Sequence, residues 1–321
     1  DGLITKEDLS NYTVKERQTV QGSYRGYEIV SMPPPSSGGV HIVQMLNVLE
    51  NFDLESMHHN SAAYLHVLTD TMKYAYADRS EYLGDPDYVD IPLTELLSKD
   101  YAKNLANHID MTVTRPSADI KPGKDLPFES PDTTHYSIAD SDGNVVSNTY
   151  TLNFSYGSGF VIAGTGILLN NEMDDFSAKA GAPNAFGLLG GKANAISAGK
   201  RPLSAMTPTI IFKDKKPFLI VGSPGGSKII TSILQVILNV IDHKMNIADA
   251  SSVPRIHHQW HPDVLNIELG ISIDTINLLQ QKGHHIKTSK ALGATQSIVL
   301  DDDLMYGASD PRRPGAKTMG F

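Results

Sequence analysis

The segment "PDTTHYSIADSDGNVVSNTYTLN", residues 131–153, puts two threonines directly after a Pro-Asp pair and at the head of a period-two pattern. Thr133 and Thr134 are β-branched, so they suit a strand on their own account. A threonine hydroxyl becomes a nucleophile only when a base takes its proton. One such base is the threonine's own α-amino group, once that group is a chain terminus. A free α-amine has a pKa of about 7.7–8.0 and accepts a proton near neutral pH. An internal Thr133 has only an amide there, so the chemistry requires the Asp132–Thr133 bond to be cut.

Two other stretches could serve such a nucleophile. In "LIVGSPGGSKIITSIL" an apolar strand pattern runs into Gly222, Pro224, Gly225 and Gly226 and then into helical spacing. The first amides of that helix lack partners, so the turn can receive an anion or an oxyanion. A phosphate loop would need glycine at 227, where Ser227 stands. A plain strand-to-helix turn without a ligand is the other reading. In "GILLNNEMDDFS", residues 166–177, Glu172, Asp174 and Asp175 follow Asn170 and Asn171 at a strand end. Such carboxylates grip an ammonium group, or else form a solvated acidic loop. The Gly/Ala/Asn-rich stretch that follows, ending at "KRPLSAMTPT", has the length of a lid or binding loop. The histidines at 58–59, 284–285 and in "HHQWH" (257–261) form no H-E-x-x-H motif and are taken as structural. No G-x-S-x-G elbow is present.

The elements that must position these residues are legible in the spacing. "YRGYEIVSMP" reads as a strand, and Val40 to Phe52 as a helix with Ser36 or Ser37 as its cap. Ser61 opens a longer helix, and another lies near Asp100–His108. Thr5 with Glu7 and Asp8 has the form of a helix start. Residues 111–132, with Pro116, Pro122, Pro127 and Pro131, read as an exposed connector. Beyond it come three hairpins, at 133–152, 209–222 and 297–309, the first turning at Gly143. Helical spacing recurs at Ser227–Ile241 and Ile273–Lys282. Hairpins alternating with helices predict an α+β fold, antiparallel sheet covered by helices.

Composition narrows the partners. The 321 residues carry a formal net charge of −9 with no Lys/Arg clustering, which disfavours nucleic acid. The apolar run Ile229–Val240 is too short, and too interrupted by Thr231, Ser232, Gln235 and Asn239, to span a bilayer. Cysteine is absent, which excludes disulfides and thiol chemistry. The opening "DGLITKEDLSNY" has no basic and apolar signal segment and reads as the start of a fragment or processed chain.

Together, "MPPPSSGGVHIVQMLN", "YADRSEYLGDP", "TTHYS", "LLNNEMDDFSAK", "KRPLSAMTPT", "GSPGGSKIITS" and "YGASDPR" resemble γ-glutamyltranspeptidases of the bacterial, lid-bearing type, members of the N-terminal-nucleophile hydrolases. The resemblance covers essentially the whole chain. It implies an αββα sandwich in which 1–132 end a large subunit and 133–321 form a small catalytic one, paired as a heterodimer after self-cleavage. It implies transfer of the γ-glutamyl group of glutathione to water, an amino acid or a peptide, with no cofactor and no metal. By the same likeness Thr133 is the nucleophile, Thr151 its hydrogen-bond partner, and Gly225 and Gly226 the oxyanion hole. Asn153, Glu172 and Asp175 surround the donor's α-amino group, and Ser204 meets its α-carboxylate. The setting implied is periplasmic or secreted.

Departures from the family pattern are Ala205 where a second serine is usual, Glu172 where some relatives have glutamine, Phe186 in place of a lid tyrosine, and Asp132 before the nucleophile. An N-terminal region carrying a signal peptide and a carboxylate-clamping arginine is expected ahead of this chain, so the fragment alone is expected to bind donor poorly. Two alternatives stand beside this reading. One is a relative acting on poly-γ-glutamate or glutaryl amides; the other is a γ-glutamyl-binding protein that never matures.

Overall fold

The structure is a computed structural model in which residues 4–120, 133–177, 188–301 and 304–320 are described. The strands are β1 (Val20–Tyr24), β2 (Tyr27–Ser31), β3 (Thr134–Ala139), β4 (Val145–Tyr150), β5 (Thr209–Lys213), β6 (Lys216–Gly222), β7 (Ile256–His257), β8 (Leu265–Glu268), β9 (Ile286–Ser289), β10 (Gln296–Asp301) and β11 (Leu304–Ser309). The helices are α1 (Lys6–Asn11), α2 (Gly38–Leu49), α3 (Leu54–Met57), α4 (Ala62–Tyr82), α5 (Leu93–Leu96), α6 (Lys99–Asn107), α7 (Lys228–Ile241), α8 (Ile247–Ser252) and α9 (Ile273–Gln281). Among the described residues no helix is long and apolar enough to cross a membrane.

A six-stranded sheet in the order β1-β2-β5-β6-β10-β11, antiparallel throughout, forms the middle of the molecule. Its β5–β6 turn places Asp214 and Lys215 at φ 50° and 65°, the mirror-image turn whose twist matches the flanking strands. The same geometry at Arg25 (φ 47°) and Gly26 (φ 85°) corrects the sequence reading of "YRGYEIVSMP" as one strand. The chain reverses at Arg25-Gly26, and Val20–Tyr24 is a second strand paired with Tyr27–Ser31.

Helices cover one side of this sheet. All twelve residues of α2 are buried, as is every residue of α7 except Lys228. The expected helix starts at Thr5 and Ser61 are present, each hydroxyl accepting an amide of the first turn. Ser37 stands at the start of α2 as expected but makes no such bond. Its hydroxyl is drawn elsewhere, to the site described below.

The β3–β4 hairpin lies against the sheet as a further layer. Ser137 Oγ donates to Gln296 O on β10 at 3.0 Å, and Ser147 Oγ to Val221 O on β6 at 3.2 Å. Asp140 accepts the amides of Asp142 and Asn144 to fix the turn, with Gly143 at φ 83° as expected. Tyr136, Ile138, Val146 and Tyr150 alternate outward and are exposed. A small third sheet, β7-β8-β9, joins antiparallel and parallel pairs beside α9.

The part of the 111–132 connector that is described, 111–120, is not wholly exposed. Thr114, Ser117 and Ile120 are buried, and the buried Trp260 donates Nε1–H to the carbonyls of Ser117 and Ile120 at 2.9 and 3.0 Å. A tryptophan offers apolar surface and one donor, which suffices to pin a proline-rich turn. Residues 121–132, including Asp132, lie outside the described residues.

Candidate active site

The register of the first hairpin builds the site. Thr134 pairs with Tyr150, so the residues just beyond, Thr133 and Thr151, face each other at the open end of the ladder. Thr133 is buried, and its Oγ lies 3.5 Å from that of Thr151. Thr151 Oγ accepts the amide of Asn153 at 2.9 Å. Asn153 holds φ 76°, a left-handed conformation that costs free energy in any residue but glycine. The cost is met by Asn171: its Oδ1 accepts Phe154 N–H at 3.0 Å, and its carbonyl accepts Asn153 Nδ2–H at 3.1 Å.

The acidic patch folds as a 3-10 turn over Glu172–Asp175. In that helix residues three apart eclipse one another, so the carboxyls of Glu172 and Asp175 are neighbours while Asp174 points outward. Burial, and then the charge of Glu172, push Asp175 up to about 8. Burial pushes Glu172 up to about 7, opposed by its hydrogen bond to Asp175. The two hold a proton between them near neutral pH, an arrangement that an entering cation would relieve. Asn194 ties this turn to the next segment, donating to Asp175 O at 2.7 Å and accepting Leu203 N–H at 3.0 Å.

Ser204 is fixed by the loop ahead of α2. Ser37 N–H and Ser37 Oγ both donate to Ser204 O at 2.9 Å, and Ser204 N–H donates to Pro35 O at 2.8 Å. Ser204 Oγ accepts Met206 N–H at 3.0 Å, and Ser204 lines the pocket described below. Arg79, from the last turn of α4, donates Nε–H to Ser37 Oγ at 3.0 Å and an Nη2–H to Leu203 O at 3.4 Å. This buried arginine was quoted in the "YADRSEYLGDP" motif without a role. The available signal was a cation that falls in the last turn of an otherwise well-buried helix.

Gly225 and Gly226 follow β6 at φ 135° and 56°, values that L side chains rarely adopt. Ser227 begins α7 but does not cap it, its Oγ donating to Gln259 Oε1 at 2.7 Å. The amides of Gly225 and Gly226 meet no acceptor among the described residues, so the helix start retains donors for a developing oxyanion.

These pieces converge. Thr133, Thr151, Asn153, Asp175, Ser204 and Gly226 line one pocket together with Arg79; Glu172 and Gly225 do not line it, and reach it only through their neighbours Asp175 and Gly226. Ala205 lines the same pocket and presents a methyl where a hydroxyl was missed in the sequence. Phe186 lies outside the described residues. The histidines are more concentrated than the sequence suggested: ligand atoms of His66, Asp70 and His284 lie within 4.8 Å of one another in the core. They are engaged already, His66 Nδ1 with His284 Nε2 at 2.8 Å and Asp70 with the Lys73 ammonium at 3.6 Å, and none lines the pocket.

Comparison with known proteins places the chain in a family. Residues 1–320 match the family described as "Gamma-glutamyltranspeptidase". The chain is 55% identical to the "Glutathione hydrolase proenzyme" of Escherichia coli, over 100% of this chain and 55% of that protein. It thus spans about half the length of the curated relatives it matches. An acivicin-inhibited γ-glutamyltranspeptidase structure is 56% identical with a TM-score of 0.56, covering 57% of this chain and 100% of that one. A cephalosporin acylase from Bacillus halodurans superposes with a TM-score of 0.83 at 28% identity, over 97% of this chain and 54% of that one. With antiparallel sheets stacked under helices and a family match over nearly every residue, this chain belongs to the γ-glutamyltranspeptidase family, on the fold of the N-terminal-nucleophile hydrolases.

Proposed function

We propose that this chain carries the nucleophile and donor pocket of a γ-glutamyl transferase and glutathione hydrolase that matures by cutting its own Asp132–Thr133 bond. The observation that carries the reading is the convergence of Thr133, Asp175 and Gly226 on one pocket, with Glu172 coupled to Asp175. After cleavage the Thr133 amine takes the proton of its own hydroxyl, and Oγ attacks the γ-carbonyl of the donor. The oxyanion is received by the Gly225 and Gly226 amides. The amine returns its proton to the leaving nitrogen, and a γ-glutamyl ester remains on Thr133. Water or an acceptor amine then attacks the ester and regenerates the hydroxyl.

Asn153, Glu172 and Asp175 are the groups we assign to the donor's α-ammonium, and Ser204 to its α-carboxylate. The acid pair also argues against a glutaryl or other amine-free donor, which would leave two buried carboxyls facing each other with no cation. Residues 1–132 and 133–321 are, on this proposal, pieces of two subunits from one precursor, and export to the periplasm or the medium belongs to the same reading. The exposed apolar face of Tyr136, Ile138, Val146 and Tyr150 is a surface suited to further protein packing.

The test is intact-mass measurement with N-terminal sequencing of the full protein bearing this chain, wild type against Thr133→Ala, alongside release of p-nitroaniline from γ-glutamyl-p-nitroanilide. Two pieces, one starting at Thr133, with turnover in wild type and neither in the variant, is the expected result. A single uncut chain without turnover overturns it.

A further inference from the structure

The Gly225-Gly226 turn cannot aim its own amides. Glycine has the widest choice of φ and ψ, so two in succession hold no direction for their N–H groups by themselves. The direction has to come from the residues on either side. Ser223 supplies one anchor, its Oγ accepting Ala294 N–H at 2.9 Å and donating to Pro224 O at 2.7 Å. Ser227 supplies the other, and it is held in turn by Tyr76 and Gln259.

Tyr76 O–H donates to Ser227 O at 2.5 Å, and Ser227 Oγ–H donates to Gln259 Oε1 at 2.7 Å. All three residues are buried. The Gln259 carboxamide is set from a second side as well. Burial keeps His257 neutral, its pKa lowered to about 3, and His257 Nε2 lies 2.9 Å from the same Oε1. With Nε2–H donating there, His257 Nδ1 accepts the Thr231 hydroxyl of α7 at 2.8 Å. This hold opposes a local preference. Serine at the start of a helix ordinarily takes an extended backbone and folds its hydroxyl back onto an amide of the first turn. Ser227 instead sits at φ −57°, ψ −29° and makes no cap bond. Since α7 is fixed by its burial, a return of Ser227 to the extended form would swing the two glycines that precede it.

We infer that Tyr76 and Gln259 are positioning residues for the oxyanion turn. By holding Ser227 through its carbonyl and its hydroxyl, they keep it out of the capping conformation and fix where the Gly225 and Gly226 N–H groups point. Neither lines the pocket beside Thr133, so both act through Ser227, which does. Tyr76 belongs to α4, ahead of Thr133, and Gln259 lies just beyond β7, after it. The hold therefore spans both pieces that a cut at Asp132–Thr133 creates. This deepens the function proposed above and rests on it.

Kinetics and hydrogen exchange separate the two claims. In the full protein bearing this chain, Tyr76→Phe and Gln259→Met each remove one hydrogen bond to Ser227 and keep the side chain's bulk. Each is expected to lower kcat for γ-glutamyl-p-nitroanilide, per matured protein, by about 10- to 100-fold, while donor KM stays within about twofold of wild type. Ser227→Ala removes the Gln259 bond from its other end, so the two changes together are expected to cost about what either costs alone. Amide exchange over 223–228, followed by mass spectrometry without substrate, is expected to quicken in Tyr76→Phe and in Gln259→Met. Wild-type kcat in either variant, a KM that rises as far as kcat falls, or full additivity with Ser227→Ala overturns the assignment. Unchanged exchange overturns it whether or not the protein turns over. A wild-type protein that never matures, with the exchange difference present, instead counts against the function proposed above and leaves the hold on Ser227 in place.

Discussion

The hydroxyls of Thr133 and Thr151 face each other at 3.5 Å across the open end of one hairpin, and Thr151 is itself locked by the Asn153 amide at 2.9 Å. That separation is long for an O–H···O bond, whose usual distance is about 2.7–2.8 Å. On the function proposed above, Thr151 orients the nucleophile Thr133 without holding it tightly. Thr151→Ala is expected to slow both self-cleavage and turnover by roughly 10- to 100-fold, with little change in donor KM. Thr151→Ser keeps the oxygen and is expected to recover most of both rates. Time-resolved gel analysis of cleavage and steady-state kinetics check the pair; unchanged rates in the alanine variant would remove Thr151 from the mechanism.

The Glu172–Asp175 pair makes a pH prediction with a definite sign. Both carboxyls are raised in the folded protein, to about 7 and about 8, from ordinary values of 4.5 and 3.8. The folded state therefore binds more protons than the unfolded chain across that window. The stability this supplies is complete below about pH 4 and is lost as the pH rises through about 8. The thermal midpoint without donor is expected to fall between these limits, and Glu172→Gln to flatten the fall. Donor binding runs the opposite way, since the ammonium needs the ionised pair, so donor KM is expected to decrease over the same rise. Calorimetry and KM profiles of wild type and Glu172→Gln decide it; parallel pH profiles in the two proteins would contradict the assignment.

The first hairpin, the glycine turn and the acid cluster were readable in the sequence because each is local. A period of two, a turn glycine, two glycines before a helix and three acids within four residues all declare themselves within a short window. Arg79 did not, because its partners Ser37 and Leu203 lie 42 and 124 residues away and only the packing of α4 against two loops brings them together. Ser36 or Ser37 was expected to cap α2; at Ser37 the competition from Ser204 O and the Arg79 guanidinium is tertiary and leaves no local trace. Asn153 was picked by likeness alone. Its left-handed backbone, which sets the angle at which the chain leaves Thr151, depends on Asn171 reaching back across the loop. The connector was misjudged over 111–120 for a related reason, since Trp260 lies far along the chain.

Arg79 couples two sides of the pocket beside Thr133. Its guanidinium supports Ser37, which supports the Ser204 carbonyl, and its charge opposes the rise of Asp175. Arg79→Ala removes hydrogen bonds from a buried cation's partners and is expected to cost roughly 3 kcal/mol of stability. Arg79→Lys keeps the charge but not the fork and is expected to fold more stably than the alanine variant. In it the donor KM rises more than kcat falls, because Ser204 is displaced while Thr133 is not touched. Denaturant titration and donor kinetics on the two variants test this; a lysine variant with wild-type KM would show that Arg79 only fills space.

Gly222 sets how closely the nucleophile's strand can approach the central sheet. A Cβ at this position would lie 2.1–2.5 Å from the ring atoms of His135, closer than any real contact. The ring has little room to yield, since His135 Nδ1 is 2.7 Å from Thr149 Oγ and Nε2 is 3.1 Å from Ser137 Oγ. Gly222→Ala must therefore push β3 outward, and Thr133 is two residues from His135 on that strand's leading end. The displacement acts on Thr133 relative to the Gly225-Gly226 amides, which follow Gly222 on the other element. Geometry errors of about 1 Å in such a site cost on the order of 100-fold in rate. The expected outcome is a folded protein with far-ultraviolet circular dichroism like wild type, slow or absent self-cleavage, and turnover reduced by about that factor. Gly222→Ala combined with His135→Ala vacates the contested space and is expected to recover part of the cleavage rate. A single Gly222→Ala variant that matures at the wild-type rate would show that the sheet-to-hairpin contact does not position the nucleophile.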